Sequence, residues 1–302
     1  MAVSYTIFTY MKKRLLPHLA FGIATGFIVW ACQEFLFILI EDGLVPRGGR
    51  SALAGILLGS VAGALLGGLE GYLVYNRPKA RRGIAIGTSF GACSGLASFY
   101  LIDYLQQHLP EVISRNDLYL EFLLASRWFI TAVFIGMSTG IRDRSNLCIV
   151  RGMLSGVMAG GASGIVSFAL FSQVQNAFLA RGACIVSFTT FLAIALTAMS
   201  RLKRKEWIRS LNGKYEGIEF ELDREIHFMG SQIDDDINLT SYQNVNRTHA
   251  KLLKYYTGYS LVDNDPLGQT FVNFRNVSEQ PLKNGDIIKV GNAIFQYCKK
   301  AD

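Results

Sequence analysis

The chain has 302 residues, enough for two domains, and a formal net charge of +7. Half of its residues are hydrophobic and 18% are charged, a balance too apolar for an ordinary soluble domain of this length. The 30 glycines with only 6 prolines argue against a disordered linker and favour close helix packing. No basic face with interleaved aromatic residues occurs, so nucleic acid is not expected as a partner.

Six apolar stretches of about membrane-spanning length occupy the first 200 residues. We predict spans near Leu19–Ile40, Ser51–Tyr75, Gly83–Leu105, Leu118–Ile141, Gly152–Phe171 and Gly182–Ser200. Lys and Arg concentrate in alternate connecting segments, starting with the segment before the first span. Moving a cation across the membrane against the membrane potential is unfavourable, so the segments rich in Lys and Arg should be cytoplasmic. This pattern predicts a multi-pass protein of the bacterial inner membrane with both termini in the cytoplasm.

Glycine recurs at every fourth residue in three of these spans. The three series are Gly55, Gly59, Gly63, Gly67 and Gly71; Gly83, Gly87, Gly91 and Gly95; and Gly152, Gly156, Gly160 and Gly164. Such a stripe of bare backbone lets two helices approach closely. We interpret the stripes as helix-packing faces, and a pore lined by glycine is the alternative. Similarity between the segments that start at Arg50 and at Arg151 predicts two inverted three-helix repeats.

Ionisable side chains within the spans are candidate functional sites. Glu70 and Glu121 lie near span ends, where they can reach the membrane interface. Glu34 and Arg127 lie deeper, and we expect them to form an ion pair that holds the two halves together. The alternative is a substrate or proton site.

The composition changes after Ser200. The sequence RLKRKEWIRSLNG predicts a basic juxtamembrane linker helix over 201–212, with Trp207 at the headgroup level, between a membrane domain (1–200) and a cytoplasmic domain (213–302). Short alternating runs in the cytoplasmic domain predict an all-β sandwich. These runs are GIEFEL, EIHFM, DINL, AKLLKYY, YSLVD, TFVNF, DIIKV and AIFQY.

Four motifs of this last part, FMGSQIDDDINL, VNRTHAKL, YSLVDNDPLGQTFVN and PLKNGDIIKVGNAIFQY, resemble those of forkhead-associated (FHA) domains in order and spacing. The junction also resembles that of bacterial multi-pass membrane proteins that carry an FHA module. The junction residues that carry this resemblance are Trp207, Leu211, Gly213, Gly217, Glu219 and Phe220.

The FHA resemblance implies a phosphothreonine site built from an arginine, a serine and an asparagine–glycine pair. In this sequence the arginine position is Ser231, the serine position is Asn246, and the pair is Gly268 and Gln269. All three principal ligands have therefore changed. Arg247, Thr270 and Asn273 complete the candidate protein-binding loops, while Gly230, His249, Gly285 and Asp286 match framework residues of the family.

We expect neither an enzyme nor a bound cofactor or metal. The five cysteines form no CxxC pair, and the serines and histidines form no triad-like arrangement. We expect the acidic run Asp234–Asp236 to be a solvent-exposed segment that precedes a strand, and a metal site there is the alternative.

The sequence therefore predicts a membrane-anchored FHA scaffold that recruits protein partners independently of phosphothreonine, as a complex subunit or homo-oligomer. One alternative is a transporter or channel subunit regulated by its FHA module. Another is a phosphothreonine-dependent adaptor that uses Arg247.

Overall fold

The computed structural model describes residues 2–45, 49–73, 76–108, 117–143, 145–174, 176–202, 205–232, 235–256, 258–265 and 269–300. The chain divides into two compact units, one that holds the helices and one that holds the strands. The side chain of Glu121 and all of Asp234 and Gly268 lie outside the described part of the chain.

The helical unit contains six long helices in the described residues. They are α1 (Ala2–Glu41), α2 (Arg50–Leu73), α3 (Arg77–His108), α4 (Asp117–Arg142), α5 (Asn146–Gln173) and α6 (Ala177–Leu202). All six contain a segment long and apolar enough to cross a membrane. The six predicted spans are confirmed in number and place.

Glycines of α2 face glycines of α3 along the length of both helices. The facing pairs are Gly55 with Gly95, Gly59 with Gly91, Gly63 with Gly87, and Gly67 with Gly83. A Cβ at any of these positions would overlap a carbonyl oxygen of the other helix, so only glycine permits this approach. Gly136 of α4 and Gly152 of α5 meet in the same way. The helices are thus in backbone contact along these faces, while the inverted repeat stays a prediction.

Large apolar side chains lie on both the inside and the outside of the helical unit. Leu58, Ile135 and Phe188 are fully buried in its core, whereas Phe122 and Ile165 are 70% and 73% exposed. Apolar residues on the outside of a helix bundle are expected where lipid, rather than water, surrounds it.

The C-terminal unit is a sandwich of two β-sheets. Its strands are β1 (Glu206–Ser210), β2 (Glu219–Glu221), β3 (Ile226–Gly230), β4 (Ile237–Asn238), β5 (Ala250–Tyr255), β6 (Gly258–Asp263), β7 (Thr270–Val272), β8 (Arg275–Asn276), β9 (Glu279–Pro281), β10 (Ile287–Val290) and β11 (Ala293–Lys299). One sheet has the order β2-β1-β11-β10-β7-β8 and the other β4-β3-β5-β6-β9. The predicted all-β sandwich is confirmed.

The alternation of buried and open positions explains why these segments form strands. In β11, Ala293, Phe295 and Tyr297 are buried and the residues between them are not. Leu252 of β5 and Leu261 of β6 are fully buried cross-strand partners in the other sheet. The sandwich therefore encloses a hydrophobic core of its own.

The structure does not show the predicted linker helix over 201–212 in the part of this range that it describes: α6 ends at Leu202, and strand β1 begins at Glu206. Strand β1 lies inside its sheet, antiparallel to β11 on one side and to β2 on the other. Its buried positions alternate, and Ile208 at its centre is fully buried. Trp207 consequently belongs to the sandwich. The basic residues before β1 give the segment a helix-like composition, although five of its residues follow a two-residue period.

Candidate functional site

The candidate site is the loop from Gln243 to His249, which we call the recognition loop. Backbone hydrogen bonds hold it against the end of β3. The amides of Ser231 and Gln232 donate to the carbonyls of Asn246 and Arg247, at 2.9 and 3.0 Å. The His249 amide donates to the carbonyl of Met229 at 2.9 Å. The loop is therefore braced through its backbone.

Gly230 allows this close approach. A Cβ at Gly230 would overlap the Arg247 carbonyl and come within 2.6 Å of Asp235 Oδ2. Asp235 is itself buried, and its Oδ2 accepts a hydrogen bond from the Gln232 amide at 3.2 Å. Gly230 and Asp235 thus shape the segment that carries Ser231.

Asn246 directs its side-chain amide toward the interior of the site. Its Nδ2 donates a hydrogen bond to Oδ1 of Asp265, a residue that is only 8% exposed. The second oxygen of the same carboxylate, Oδ2, lies 3.5 Å from Nε2 of His249, whose ring is fully buried. Asn246, which stands where the FHA family has its phosphate-binding serine, therefore binds a carboxylate.

The hydrogen bonds also define the tautomer of the His249 imidazole ring. The backbone amide of Asn246 donates to His249 Nδ1 at 3.1 Å, so this nitrogen must be an acceptor. The ring proton then lies on Nε2, facing Asp265, and the imidazole is neutral. The Asp265 carboxylate consequently has no full positive charge from His249 to compensate it.

The loop between β6 and β7 forms the other side of the site. Asn264 joins it to the recognition loop, because its amide donates to the His249 carbonyl at 2.9 Å and its Nδ2 to the Thr248 carbonyl at 3.0 Å. Thr270 is buried and donates to Asp263 Oδ1 at 2.6 Å. Half-buried Gln269 offers its carbonyl to the amide of Gly291 at 3.4 Å. These contacts are internal to the sandwich.

Arg247 is the exposed cation of the recognition loop. Its side chain makes no ion pair among the residues that the structure describes. Ser231 is half-buried on the neighbouring segment. The surface that these two residues share with Asn246 can donate hydrogen bonds to a polar partner, but the arginine and serine pair expected of the family is absent.

Asn273 makes its hydrogen bonds outside the recognition loop, so its place among the binding-loop candidates stays a prediction. It lies in the turn after β7, where its Nδ2 donates to Asp286 Oδ1 at 2.9 Å. Asp286 also accepts from the Lys283 amide at 2.7 Å, and the adjacent Gly285 has a left-handed φ of 95°. Asn273, Gly285 and Asp286 therefore stabilise two neighbouring turns.

The expected Glu34–Arg127 ion pair does not form. Glu34 of α1 accepts two hydrogen bonds of 2.9 Å from Arg181 of α6, and Arg127 of α4 pairs with Asp103 of α3. Arg181 lies just before the predicted span Gly182–Ser200, but α6 begins at Ala177 and so includes Arg181. A charge in an apolar environment requires a partner, and two such partners, Arg181 and Asp103, were missed.

Glu70 belongs to a compact charge cluster. It pairs with Arg142 of α4, while Lys79 of α3 lies 3.5 Å from Glu70 and 3.4 Å from Asp143. Arg142 also donates to the Gly67 carbonyl at 2.9 Å. Two cations and two anions thus join α2, α3 and the end of α4, so Glu70 does more than reach the interface.

The sandwich agrees with one family model. Residues 209–301 match the model described as the inner membrane component of T3SS, cytoplasmic domain. No curated relative matches the chain. The chain is a multi-pass membrane protein with a C-terminal FHA-like sandwich.

Solved FHA structures resemble the sandwich. The FHA domain of CT664 from Chlamydia trachomatis is 23% identical with a TM-score of 0.30, and covers 32% of this chain and 99% of its own. Slr1951 from Synechocystis sp. is 24% identical with a TM-score of 0.29, covering 32% and 98%. A structure from a study of phosphothreonine-dependent FHA interactions is 21% identical with a TM-score of 0.30, covering 32% and 99%.

Proposed function

We propose that the chain is a membrane-anchored subunit of a bacterial inner-membrane assembly and binds a protein partner without requiring phosphothreonine. The match of residues 209–301 to the cytoplasmic domain of an inner membrane component supports this setting. In this proposal the sandwich and both termini are cytoplasmic, and the six helices anchor it in the bilayer. The recognition loop is the surface that contacts the partner.

One observation carries the phosphate independence: the Asn246 side-chain amide donates one hydrogen bond to the buried Asp265 carboxylate, which fixes its orientation. A phosphate placed against Asn246 could accept only the remaining N–H of this amide. It would also approach an acidic group that neutral His249 does not compensate.

The magnitudes favour loss of tight phosphate binding. Each charge-assisted hydrogen bond contributes about 1.5–3 kcal/mol, so the absence of the arginine alone weakens binding about tenfold to a hundredfold. A phosphate near Asn246 would in addition be repelled by the buried Asp265 carboxylate. Arg247 supplies one cation and offsets only part of these losses.

A titration of the sandwich, residues 205–302, with phosphothreonine peptides and their unphosphorylated forms tests this proposal. We expect the affinity for each pair of peptides to be equal within about threefold, a difference below about 1 kcal/mol. Micromolar binding that requires the phosphate and is abolished by Asn246→Ala would refute the proposal.

A second experiment tests the loop as the partner surface. Proteins that copurify with the full chain should remain bound after phosphatase treatment and should be lost from Arg247→Glu. Lys251→Glu is the matched control, since Lys251 lies on β5 outside the loop. Loss of partners from both variants, or from phosphatase treatment alone, contradicts the assignment.

The transporter alternative requires Glu34 or Arg127 to face an aqueous path. Both carry an ion-pair partner on another helix, Arg181 and Asp103 respectively, which supports a structural role instead. Liposome flux that depends on the Glu34 carboxylate would reverse this conclusion. The phosphothreonine-adaptor alternative depends on Arg247, and phosphate-dependent binding lost in Arg247→Ala would establish it.

A further inference from the structure

Three aromatic side chains are the most exposed large apolar groups among the described residues of the sandwich. Tyr256 is 108% exposed, Phe274 is 81% exposed and Tyr255 is 52% exposed. Tyr255 ends strand β5, Tyr256 follows it, and Phe274 lies in the turn between β7 and β8. Neither position belongs to the recognition loop, so the proposed function does not account for them.

The contacts place all three at the end of the sandwich where β1 begins, which we call the junction end. Tyr255 pairs with Gly258, and a Cβ at Gly258 would lie 3.6 Å from Glu206 Oε1, at the start of β1. Glu206 in turn pairs with Lys299, at the end of β11.

The Phe274 turn joins the same end through the loop before β10. The amide of Lys299 donates to Asn284 Oδ1 at 2.9 Å, and Asp286, two residues further on, binds Asn273. The junction end therefore gathers both aromatic turns around the start of β1.

Phe274 occupies a strained backbone position. Asn273 and Phe274 have φ angles of 48° and 65°, in the left-handed region that disfavours a bulky side chain. Asn273 fixes this turn, because its Oδ1 accepts from the Ile287 amide and its Nδ2 donates to Asp286, both at 2.9 Å. A glycine at 274 would be free of the strain, so the turn presents an aromatic ring to the surroundings at an energetic cost.

Lysines and carboxylates both lie at the junction end. Lys254 precedes Tyr255 and is exposed, and Lys300 is exposed where its amide donates to the Lys205 carbonyl at 2.8 Å. Lys299 lies 3.5 Å from Glu206. Of the carboxylates, Glu225 lines the groove beside the tyrosines, and Glu279 accepts a hydrogen bond from the Tyr255 hydroxyl at 3.1 Å. Tyrosine and phenylalanine next to lysine are typical of surfaces that contact an anionic membrane interface.

Only a short stretch of sequence joins β1 to a helix that is apolar enough to cross a membrane. Helix α6 is apolar enough to cross a membrane and ends at Leu202, and β1 begins at Glu206. Three intervening residues span at most about 14 Å. We propose that the junction end is a lipid-contact surface, with Tyr255, Tyr256 and Phe274 entering the headgroup region of an anionic bilayer.

Spin labels on the full chain in liposomes test this proposal. In a background without native cysteines, Tyr256→Cys and Phe274→Cys carry the label, and Arg247→Cys and Phe228→Cys are controls on the recognition loop and on β3. Power saturation should show loss of access to the water-soluble Ni(II) reagent and gain of access to oxygen at 256 and 274 only. Equal access to the Ni(II) reagent at 256, 274 and 247 would overturn the proposal.

Hydrogen exchange on the unmodified chain provides a measurement that does not depend on the cysteine-free background. The amides of Tyr256 and Phe274 should exchange more slowly in liposomes with phosphatidylglycerol than in pure phosphatidylcholine, while those of the recognition loop should not change. Equal exchange rates of these two amides in the two kinds of liposome would contradict the proposal. Spin–spin broadening at 256 or 274 that persists on dilution with unlabelled lipid would assign this end to a second copy of the chain instead.

Discussion

Removal of β1 is expected to unfold the sandwich. A fragment that starts at Asn212 omits Glu206–Ser210, the strand between β2 and β11, whereas one that starts at Lys205 retains it. The domain boundary predicted from the sequence, at residue 213, leaves this strand outside the cytoplasmic domain. Loss of fully buried Ile208 alone should cost about 2–5 kcal/mol, the range for Ile-to-Ala changes in a core.

The loss of the whole strand adds to this figure. Hydrogen bonds on both edges of β1 disappear, each with a net contribution of about 0.5–1.5 kcal/mol. The total approaches the complete stability of a small domain, about 5–15 kcal/mol. We therefore expect the fragment 205–302 to show a cooperative thermal transition by circular dichroism and the fragment 212–302 to show none.

Single substitutions refine the same test. Ile208→Ala should lower the unfolding free energy by about 2–5 kcal/mol in urea, followed by Trp207 fluorescence. Leu211→Ala is the control: Leu211 is 38% exposed and follows the strand, so its cost should stay below about 1 kcal/mol. Equal transitions for the two fragments, or equal costs for the two substitutions, would refute the placement of β1 in the core.

Three other perturbations test separate features. In a thermal-shift assay in detergent, Gly59→Leu should destabilise the full chain by about 1–3 kcal/mol or more, because a Cβ there overlaps a carbonyl of α3. Gly161→Leu is the control: a Cβ at Gly161 meets open space, so this variant should be tolerated. Glu34→Gln should lower thermal stability by breaking an ion pair within the bundle, and unchanged stability would argue against that pair. Burial, reinforced by nearby carboxylates, raises the pKa of Tyr259 and Tyr297 above the usual 10.0. The unfolding free energy of the sandwich should therefore be retained below pH 10.0 and fall as the pH rises further. In urea titrations, Tyr297→Phe should make this fall with pH less steep.

The sequence was most informative where a period or a length limits the choice of structure. About 20 apolar residues cross a bilayer as a helix, which located all six helices. A two-residue period located the longer strands, such as β5 and β11. Strands β8 and β9 have two and three residues, all exposed, and therefore leave no hydrophobic pattern to detect.

Contacts between distant residues were harder to predict from the sequence. Glu34 and Arg127 were identified as charges that need partners, but pairing depends on which helices touch, and no period in the sequence encodes that. Asp265 was missed for a related reason. It follows β6 in a polar turn, and only the folded loops show that its carboxylate is buried against Asn246 and His249.

The structure also separates two roles that the FHA resemblance combines. Gly230 and His249 brace the recognition loop through steric fit and backbone hydrogen bonds, and neither contact needs a phosphate. The loop can therefore keep this conformation without a bound phosphate. Because Asn246 binds the Asp265 carboxylate, restoring serine at 246 alone would leave that carboxylate facing an incoming phosphate. We infer that specificity at this site depends on the charge beneath the loop as well as on the donors in it.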